Sequence, residues 1–263
     1  MAHMGEDGRW AEIAYETIAP VYDEFTAHHD YEVVMAELLP ALEQRGLTEG
    51  SLLDVGCGTG KSFLPMLARG WEVTACDISP AMVALAREKV DDSVRIEVAD
   101  MRELPVFGEF DLVWAVDDAI NYLLDFVELT AALTGMRDNL APAGLLQFDV
   151  NTLLMYRSFA STREVVERDG LRLTRQGLAS AEQPAGSIWV SQFEAEGAGR
   201  KVEAHLHRQC HFPEEEVLRA LKSARLQALD VFGKHAEVAG LKQPLDEAKH
   251  TKAVYIACWA EES

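Results

Sequence analysis

The sequence predicts an α/β fold: an open, mostly parallel sheet covered by helices, with a small antiparallel β insert and a helical N-terminal segment. Three observations predict it. From Ser51 to Val150 short apolar runs alternate with helical patterns, the rhythm of a parallel sheet covered on both faces. The first of those runs ends in a bare turn, Gly56-Cys57-Gly58-Thr59-Gly60, where a strand should hand over to a helix. After Asn151 the rhythm changes to closely spaced strand signals, then returns to one helix and two strands.

Taken in order, Trp10–Leu42 is helical in pattern, with Ile13, Ile18, Val21 and Phe25 as its apolar positions. Ser51–Val55 reads as a strand, Lys61–Arg69 as a helix and Trp71–Cys76 as a strand. Ser79 can cap a helix that has Pro80 in its first turn and runs to about Val90. Val94–Ala99 alternates, and Phe110–Val116 and Leu145–Val150 are buried-type strands. Between those two, Phe126–Leu140 is helical and is stopped by Ala141-Pro142-Ala143-Gly144. Asp169-Gly170 between Glu164–Arg168 and Leu171–Arg175 is a hairpin signal. Ser187–Glu194 and Lys201–Phe212 read as further strands around Gly197-Ala198-Gly199. Pro213 opens a helix whose first turn holds Glu214, Glu215 and Glu216, charges that suit its N-terminal dipole. Leu226–Phe232 and Lys252–Trp259 would complete the main sheet. The expected division is residues 10–150 and 213–263 as a ligand-binding core with an N-terminal lid, and 151–212 as an inserted cap. Residues 1–9, opening Met-Ala-His-Met, read as a disordered tag.

Composition narrows the function. A net charge of −20 repels phosphate backbones and anionic lipid, so neither nucleic acid nor a membrane is an expected partner. No secretory signal and no membrane-spanning run is visible. Cys57, Cys76, Cys210 and Cys258 lie far apart with no Cys-x-x-Cys pair, which points to a reduced cytoplasmic protein without a structural metal, monomeric or homodimeric.

The glycine turn asks for a ligand pressed against backbone, at the carboxyl edge of the sheet where open α/β folds bind. Lys61 stands where a dinucleotide fingerprint would place its third glycine, and Asp54 just before the turn would repel a pyrophosphate but suits an ammonium group. Asp77 ends the second strand and can accept both hydroxyls of a ribose. Asp100, in Ala99-Asp100-Met101, is placed to accept from an adenine amine, with Ile78 and Met101 against the ring. An amino acid end, a ribose and an adenine together describe S-adenosylmethionine (SAM).

DVGCGTG with Asp77, ADM at 99–101 and the late strand pair resemble the class I SAM-dependent methyltransferase family, over roughly Tyr15 to Trp259. YDEF at 22–25, DDAINYL at 117–123 and LHRQCHFPEEE at 206–216 resemble its small-molecule branch with an inserted β cap, similar to bacterial enzymes acting on amino sugars and other metabolites. The resemblance implies a Rossmann-like seven-stranded sheet in order 3-2-1-4-5-7-6. It also implies cofactor contacts from Tyr15, Tyr22, Asp54, Gly56, Cys57, Gly58, Gly60, Asp77, Ile78, Met82, Asp100, Met101 and Val116. Where some sugar N-methyltransferases carry a histidine, this chain has Tyr122.

The expected reaction is transfer of a methyl group to nitrogen or oxygen of a small-molecule acceptor. A SAM-binding protein with other chemistry, a nicotinamide-dependent oxidoreductase and a non-catalytic binding module are the alternatives. Methyl transfer from a sulfonium needs alignment and dehydration, and a base if the acceptor must lose a proton. Asp117 and Tyr122, after the fourth strand, are candidates, together with their neighbours Asp118 and Asn121. In the cap, strict alternation puts Glu203, His205, His207, Gln209 and His211 on one face. That face could be solvated or could roof the acceptor, with His207 the preferred base because it matches a histidine of cap-bearing relatives. His205 with His207 as metal ligands stays open, without a defined third ligand. Trp189, Phe193, Met155 and Tyr156 are either an apolar acceptor wall or core of the insert.

Overall fold

The computed structural model describes residues 9–235 and 238–260, so the expected tag falls outside the described residues except for Arg9. Helices α1 (Trp10–Ile18), α2 (Tyr22–Phe25) and α3 (Tyr31–Glu43) lead into β1 (Ser51–Val55), α4 (Leu64–Ala68), β2 (Glu72–Asp77), α5 (Pro80–Arg87) and β3 (Arg95–Val98). There follow β4 (Phe110–Ala115), α6 (Phe126–Asp138), β5 (Leu140–Asn151) and α7 (Leu153–Phe159). The antiparallel strands are β6 (Arg163–Arg168), β7 (Leu171–Gly177), β8 (Ile188–Gly197) and β9 (Arg200–Cys210). The chain closes with α8 (Glu214–Ser223), β10 (Leu226–Lys234), β11 (Leu241–Lys242) and β12 (Lys252–Trp259).

Local chemistry starts the helices where it should. Ser79 Oγ accepts from Met82 N at 3.1 Å at the head of α5, and Asp125 accepts from Glu128 N at 2.8 Å at the head of α6. Glu128 reaches back to Leu124 N at 2.7 Å, a reciprocal cap. One boundary differs from expectation: Ala141-Pro142-Ala143-Gly144 does not lie outside the sheet but forms the first part of β5, where the pairing with β4 is irregular. An edge-like irregularity of this kind is where a strand tolerates proline.

The main sheet has the order β11-β10-β12-β5-β4-β1-β2-β3, with β12 antiparallel to both of its neighbours. This is the expected seven-strand order with one short edge strand added, eight strands in all. Its order reverses between β1 and β4, which opens a crevice at their carboxyl ends. Apolar clusters lie on both faces. Val113, Leu146, Phe148 and Tyr255 pack under α6 and α8; Leu52 and Trp114 cluster with Leu38 of α3, Met66 of α4 and Val83 of α5. Burying each large side chain contributes roughly 1.5–3 kcal/mol, so both faces are well anchored beneath the crevice.

The second sheet runs β6-β7-β8-β9. Asp169 (φ 50°) and Gly170 (φ 76°) are both left-handed, the turn that suits a two-residue hairpin. Its inner apolar residues Leu171, Leu173, Ala195 and Val202 pack on Ile18 and Val21, so the cap sheet holds the N-terminal segment over the crevice.

Strict alternation fails in β9. Phe193 pairs with His205 but Ala195 pairs with Val202, so β9 carries one extra residue between them. The bulge shifts the phase: Val202, His205, His207 and Gln209 share the inner face, while Glu203 and Leu206 are exposed. The imidazole face therefore turns inward. His211 lies beyond the strand and belongs to a separate cluster with Tyr156.

Candidate active site

A cleft lies over the carboxyl ends of β1, β2 and β4. Its floor is the glycine turn. Gly56 and Cys57 N–H groups both bond Cys76 O, at 2.8 and 3.0 Å, which folds the turn back onto β2. Gly56 has φ 79°, and a Cβ there would sit 3.0 Å from Ala119 Cβ and 3.6 Å from Met101 Cε. The missing side chain therefore keeps the floor open for a ligand.

Asp77 stands at the edge of this floor. Its Oδ2 accepts from Gly58 N at 2.8 Å and its Oδ1 from Ser79 N at 2.9 Å, which fixes the carboxylate and leaves one lone pair on each oxygen. Burial pushes its pKa up to about 6. Ile78, Met101, Val116, Cys57 and Gly58 also line the cleft, as does Asp100. The carboxylate of Asp100 is already engaged by Arg102, whose Nη2 lies 2.6 Å from its Oδ2 and whose Nη1 reaches Glu128 at 3.1 Å. Asp100 is thus a fixed, charge-paired acid in the cleft wall.

Three expected contact residues stand behind the wall instead of lining it. Asp54 is buried beneath the turn, accepts from Ser62 Oγ, and is pushed up to about 7 by burial. Gly60 (φ 86°) serves packing: a Cβ there would meet the Phe63 ring at 2.7 Å. Met82 is fully buried under α5. Asp54 in β1, Gly60 in the turn and Met82 in α5 all face the core and not the cleft.

The lid closes the cleft from above with Trp10, Tyr15, Tyr22 and Tyr31. It is fastened by polar contacts to the core. Glu16 accepts from Ser79 Oγ and Ala81 N, both at 2.7 Å; Thr59 Oγ1 donates to Asp23 at 2.6 Å; Lys61 Nζ donates to Thr26 O at 2.7 Å.

After β4 the chain makes two consecutive left-handed residues, Asp117 (φ 62°) and Asp118 (φ 60°). Non-glycine residues hold such angles only where surroundings impose them. Here Asp149 accepts both of their N–H groups, each at 2.8 Å. Asp117, expected as a catalytic residue, is a hub: Lys252 Nζ lies 2.9 Å away, Tyr31 Oη donates to it at 3.0 Å, and His29 Nδ1 is 3.3 Å away. Burial alone would raise its pKa, but Lys252 and His29 outweigh that and hold the carboxyl well below its ordinary range. It is accordingly a poor proton acceptor. Asp118 differs. Burial and the neighbouring Asp117 raise it to about 6, against the opposing pull of Lys252, and its Oδ2 accepts from Asn151 at 2.8 Å and Gln209 at 2.7 Å.

Tyr122 and His207 come together: Oη lies 3.0 Å from Nδ1. Trp10 stacks on Tyr122 at 5.7 Å, and Phe193 packs against His207 at 4.5 Å. His207 is 3% exposed and its Nε2 has no partner among the described residues. Burial, with the charges of His205 and Arg175, lowers its pKa to about 3, so the imidazole is neutral. Burial and Asp118 raise the Tyr122 phenol, which stays protonated.

A second cavity lies on the cap side. Its wall includes Asp118, Asn151, Arg175, Ser191, His207 and Gln209, and it shares Tyr15, Tyr22, Asp117 and Tyr122 with the first cleft. Phe193 and Met155 line it; Trp189 and Tyr156 do not, being stacked on each other at 5.3 Å in the insert's own core. Asn121 is structural, donating to Cys210 O at 2.8 Å and accepting from Asn151 N at 2.8 Å. Sequence reasoning did not single out Tyr31, Asp149, Arg175 or Lys252. Each is brought in by strand pairing or by the lid, and no local motif marks them. Asn151, Gln209 and Asp118 were visible as polar residues flanking strands, though not as one cluster.

Comparison with known proteins follows the same lines. Residues 52–144 match a family model described as a methyltransferase domain. The chain is 26% identical over 221 residues to dTDP-3-amino-3,4,6-trideoxy-alpha-D-glucopyranose N,N-dimethyltransferase of Streptomyces venezuelae, covering 81% of this chain and 92% of that one. Among solved structures it resembles an S-adenosylmethionine-dependent methyltransferase from Clostridium acetobutylicum ATCC 824, with TM-score 0.74, 18% identity, and 94% of this chain and 100% of that one covered. It also resembles the sugar N-methyltransferase KedS8 from Streptoalloteichus sp ATCC 53650, with TM-score 0.69, 24% identity, and 92% and 93% covered. These two structures establish the likeness of fold.

Proposed function

We propose that this chain, a SAM-dependent methyltransferase with its methyltransferase domain at residues 52–144, methylates an amine nitrogen of a small metabolite bound where the two cavities meet. The observation that carries the reading is the 3.0 Å contact of Tyr122 with a neutral His207 at that seam.

SAM fits the cleft: the open floor at Gly56, the fixed Asp77 carboxylate with spare lone pairs, and the apolar Ile78 and Met101 answer its amino acid, ribose and adenine parts. When bound, it supplies a methyl group on a sulfonium, open to in-line attack. Everything else falls to the chain. Asp77 accepts the ribose hydroxyls, Gly56 and Gly58 give close backbone approach, and Trp10, Tyr15 and Tyr22 keep water out. An amine arriving protonated must expose its lone pair. Its N–H bond breaks toward Tyr122 Oη as the Tyr122 hydrogen passes to His207 Nδ1, leaving an imidazolium. Asp118 faces the same cavity and holds the ammonium before that transfer. An ammonium, whose pKa is about 10, gives up its proton to a base as weak as His207 far more readily than an alcohol hydroxyl does. The cap, residues 151–212, supplies the acceptor wall in this reading.

The similarity to enzymes named for N-methylation of sugars supports a nitrogen acceptor. The test uses SAM with an isotopically labelled methyl group and matched amines and alcohols from a metabolite panel. Label is expected in amine products. Label found only in alcohols or acids would overturn the nitrogen assignment.

A further inference from the structure

Arg175 lies in the middle of the cap sheet, in a cross-strand row with Glu164, Phe193 and His205 on the face that looks into the second cavity. Each of the other two basic side chains of that wall, Lys252 and Lys234, has a carboxylate partner: Asp117 and Asp149 at 2.9 and 3.0 Å, and Glu37 at 2.6 Å. Arg175 has no acid within 4.0 Å among the described residues, although the chain carries 44 Asp and Glu against 24 Lys and Arg. Glu164, directly across the ladder, does not close on it. The guanidinium is half-buried, lying 4.1 Å from the Phe159 ring centre and 5.7 Å from that of Phe193. Its Nε is buried and has no hydrogen-bond partner. In so acidic a protein, an unpaired, aromatic-framed guanidinium with an idle donor inside a cavity is equipped to receive an anion.

We infer that the acceptor carries an oxyanion group, a carboxylate or a phosphate, which Arg175 binds while the amine faces Tyr122 and His207. The inference rests on the amine reading for its reacting end only; the anion end stands on Arg175. It has a consequence for the proton transfer. Arg175 is one of the charges that depress His207, so a bound anion restores basicity to that imidazole as the acceptor seats.

Calorimetry on the full chain saturated with S-adenosylhomocysteine tests this, with β-alanine, phosphoethanolamine, β-alaninamide and the hydroxy acid matching β-alanine as probes. The anionic amines are expected to bind at least about tenfold tighter than the amide, the least a charge-assisted pair contributes. Arg175→Gln should remove that gap, and Arg175→Lys, which keeps charge without the fork, should restore part of it. The tighter of β-alanine and phosphoethanolamine identifies the oxyanion. S-adenosylhomocysteine affinity and melting temperature of each variant serve as the check on folding. An amide that binds as well as the acid, a gap that survives in Arg175→Gln, or no binding by any anionic probe at millimolar concentration would each overturn the inference. Should the hydroxy acid bind through Arg175 and become methylated while the amines do not, the amine reading fails and the anion site stands.

Discussion

Tyr122 and His207 are 85 residues apart in the chain, yet the phenol oxygen of one lies 3.0 Å from the imidazole Nδ1 of the other. The pair joins the turn after β4 to the inner face of β9. If the two pass one proton between them, they act as a unit. Tyr122→Phe and His207→Ala should each lower kcat roughly 10- to 100-fold, and the double variant should be no worse than the poorer single one. Steady-state kinetics with the acceptor from the labelling panel measures this. Additive losses would mean that the two groups act separately.

Asp77→Ala should weaken SAM binding at least about tenfold, because two hydroxyls would lose a charged acceptor. In the ligand-free protein the Asp77 carboxyl titrates near 6. The ionised form is the one that accepts, so affinity should be full above that value and decline as pH falls through it. A calorimetric pH series gives the answer, and an affinity flat from about pH 5 to 8 would remove Asp77 from the site.

The two neighbouring glycines should fail differently. Gly60→Ala forces a Cβ into the Phe63 ring at φ 86°, and should destabilise the fold by about 1–3 kcal/mol. Gly58→Ala meets only Tyr22 Cε1 at 3.8 Å, so SAM affinity should suffer more than stability. Denaturant melts beside cofactor titrations separate the two outcomes.

Asp54 is raised to about 7 by burial, above its unfolded value. Between those two values the folded state binds the proton more tightly, so this group's contribution to stability falls as pH rises. Asp54→Asn removes the buried charge and keeps an acceptor for Ser62. It should melt higher than the parent at about pH 8, by roughly 1–3 kcal/mol, with the advantage shrinking toward about pH 5. Equal melting at both pH values would contradict the burial argument.

Asp117 shows the opposite sign. Its folded pKa is depressed, so its stabilisation is present above the unfolded carboxyl range and lost only in strong acid. Asp117→Asn leaves Lys252 with Asp149 alone and loosens Tyr31 and His29 of the lid. A loss of about 2–4 kcal/mol at neutral pH is expected, with faster proteolysis of the N-terminal segment. Thermal melts and limited proteolysis test it.

Much of the parallel core could be read from the chain because its signals are local. Apolar runs ended by Asp54 or Asp77, the cap at Ser79 and the Asp169-Gly170 turn each state their own geometry within a few residues. The cofactor cleft could be read for the same reason, except where a residue near it faces the core, as Asp54, Gly60 and Met82 do. The acceptor side was harder. Lys252 meets Asp117 from 135 residues away, and Arg175 enters through cross-strand register, which no short motif encodes. The face of His207 was hidden by a bulge that alternation cannot foresee.

That extra residue in β9 also separates two duties of a single strand. Upstream of it, Val202 seats the lid; downstream, His207 and Gln209 line the cavity. Deleting either Glu203 or Ala204 would leave Val202 and His205 two apart, matching Ala195 and Phe193, and a regular strand would then keep both on the inner face. The seat of the lid and the acceptor wall are therefore tied to one face of the cap sheet by their pairing with β8, not by the number of residues that separates them.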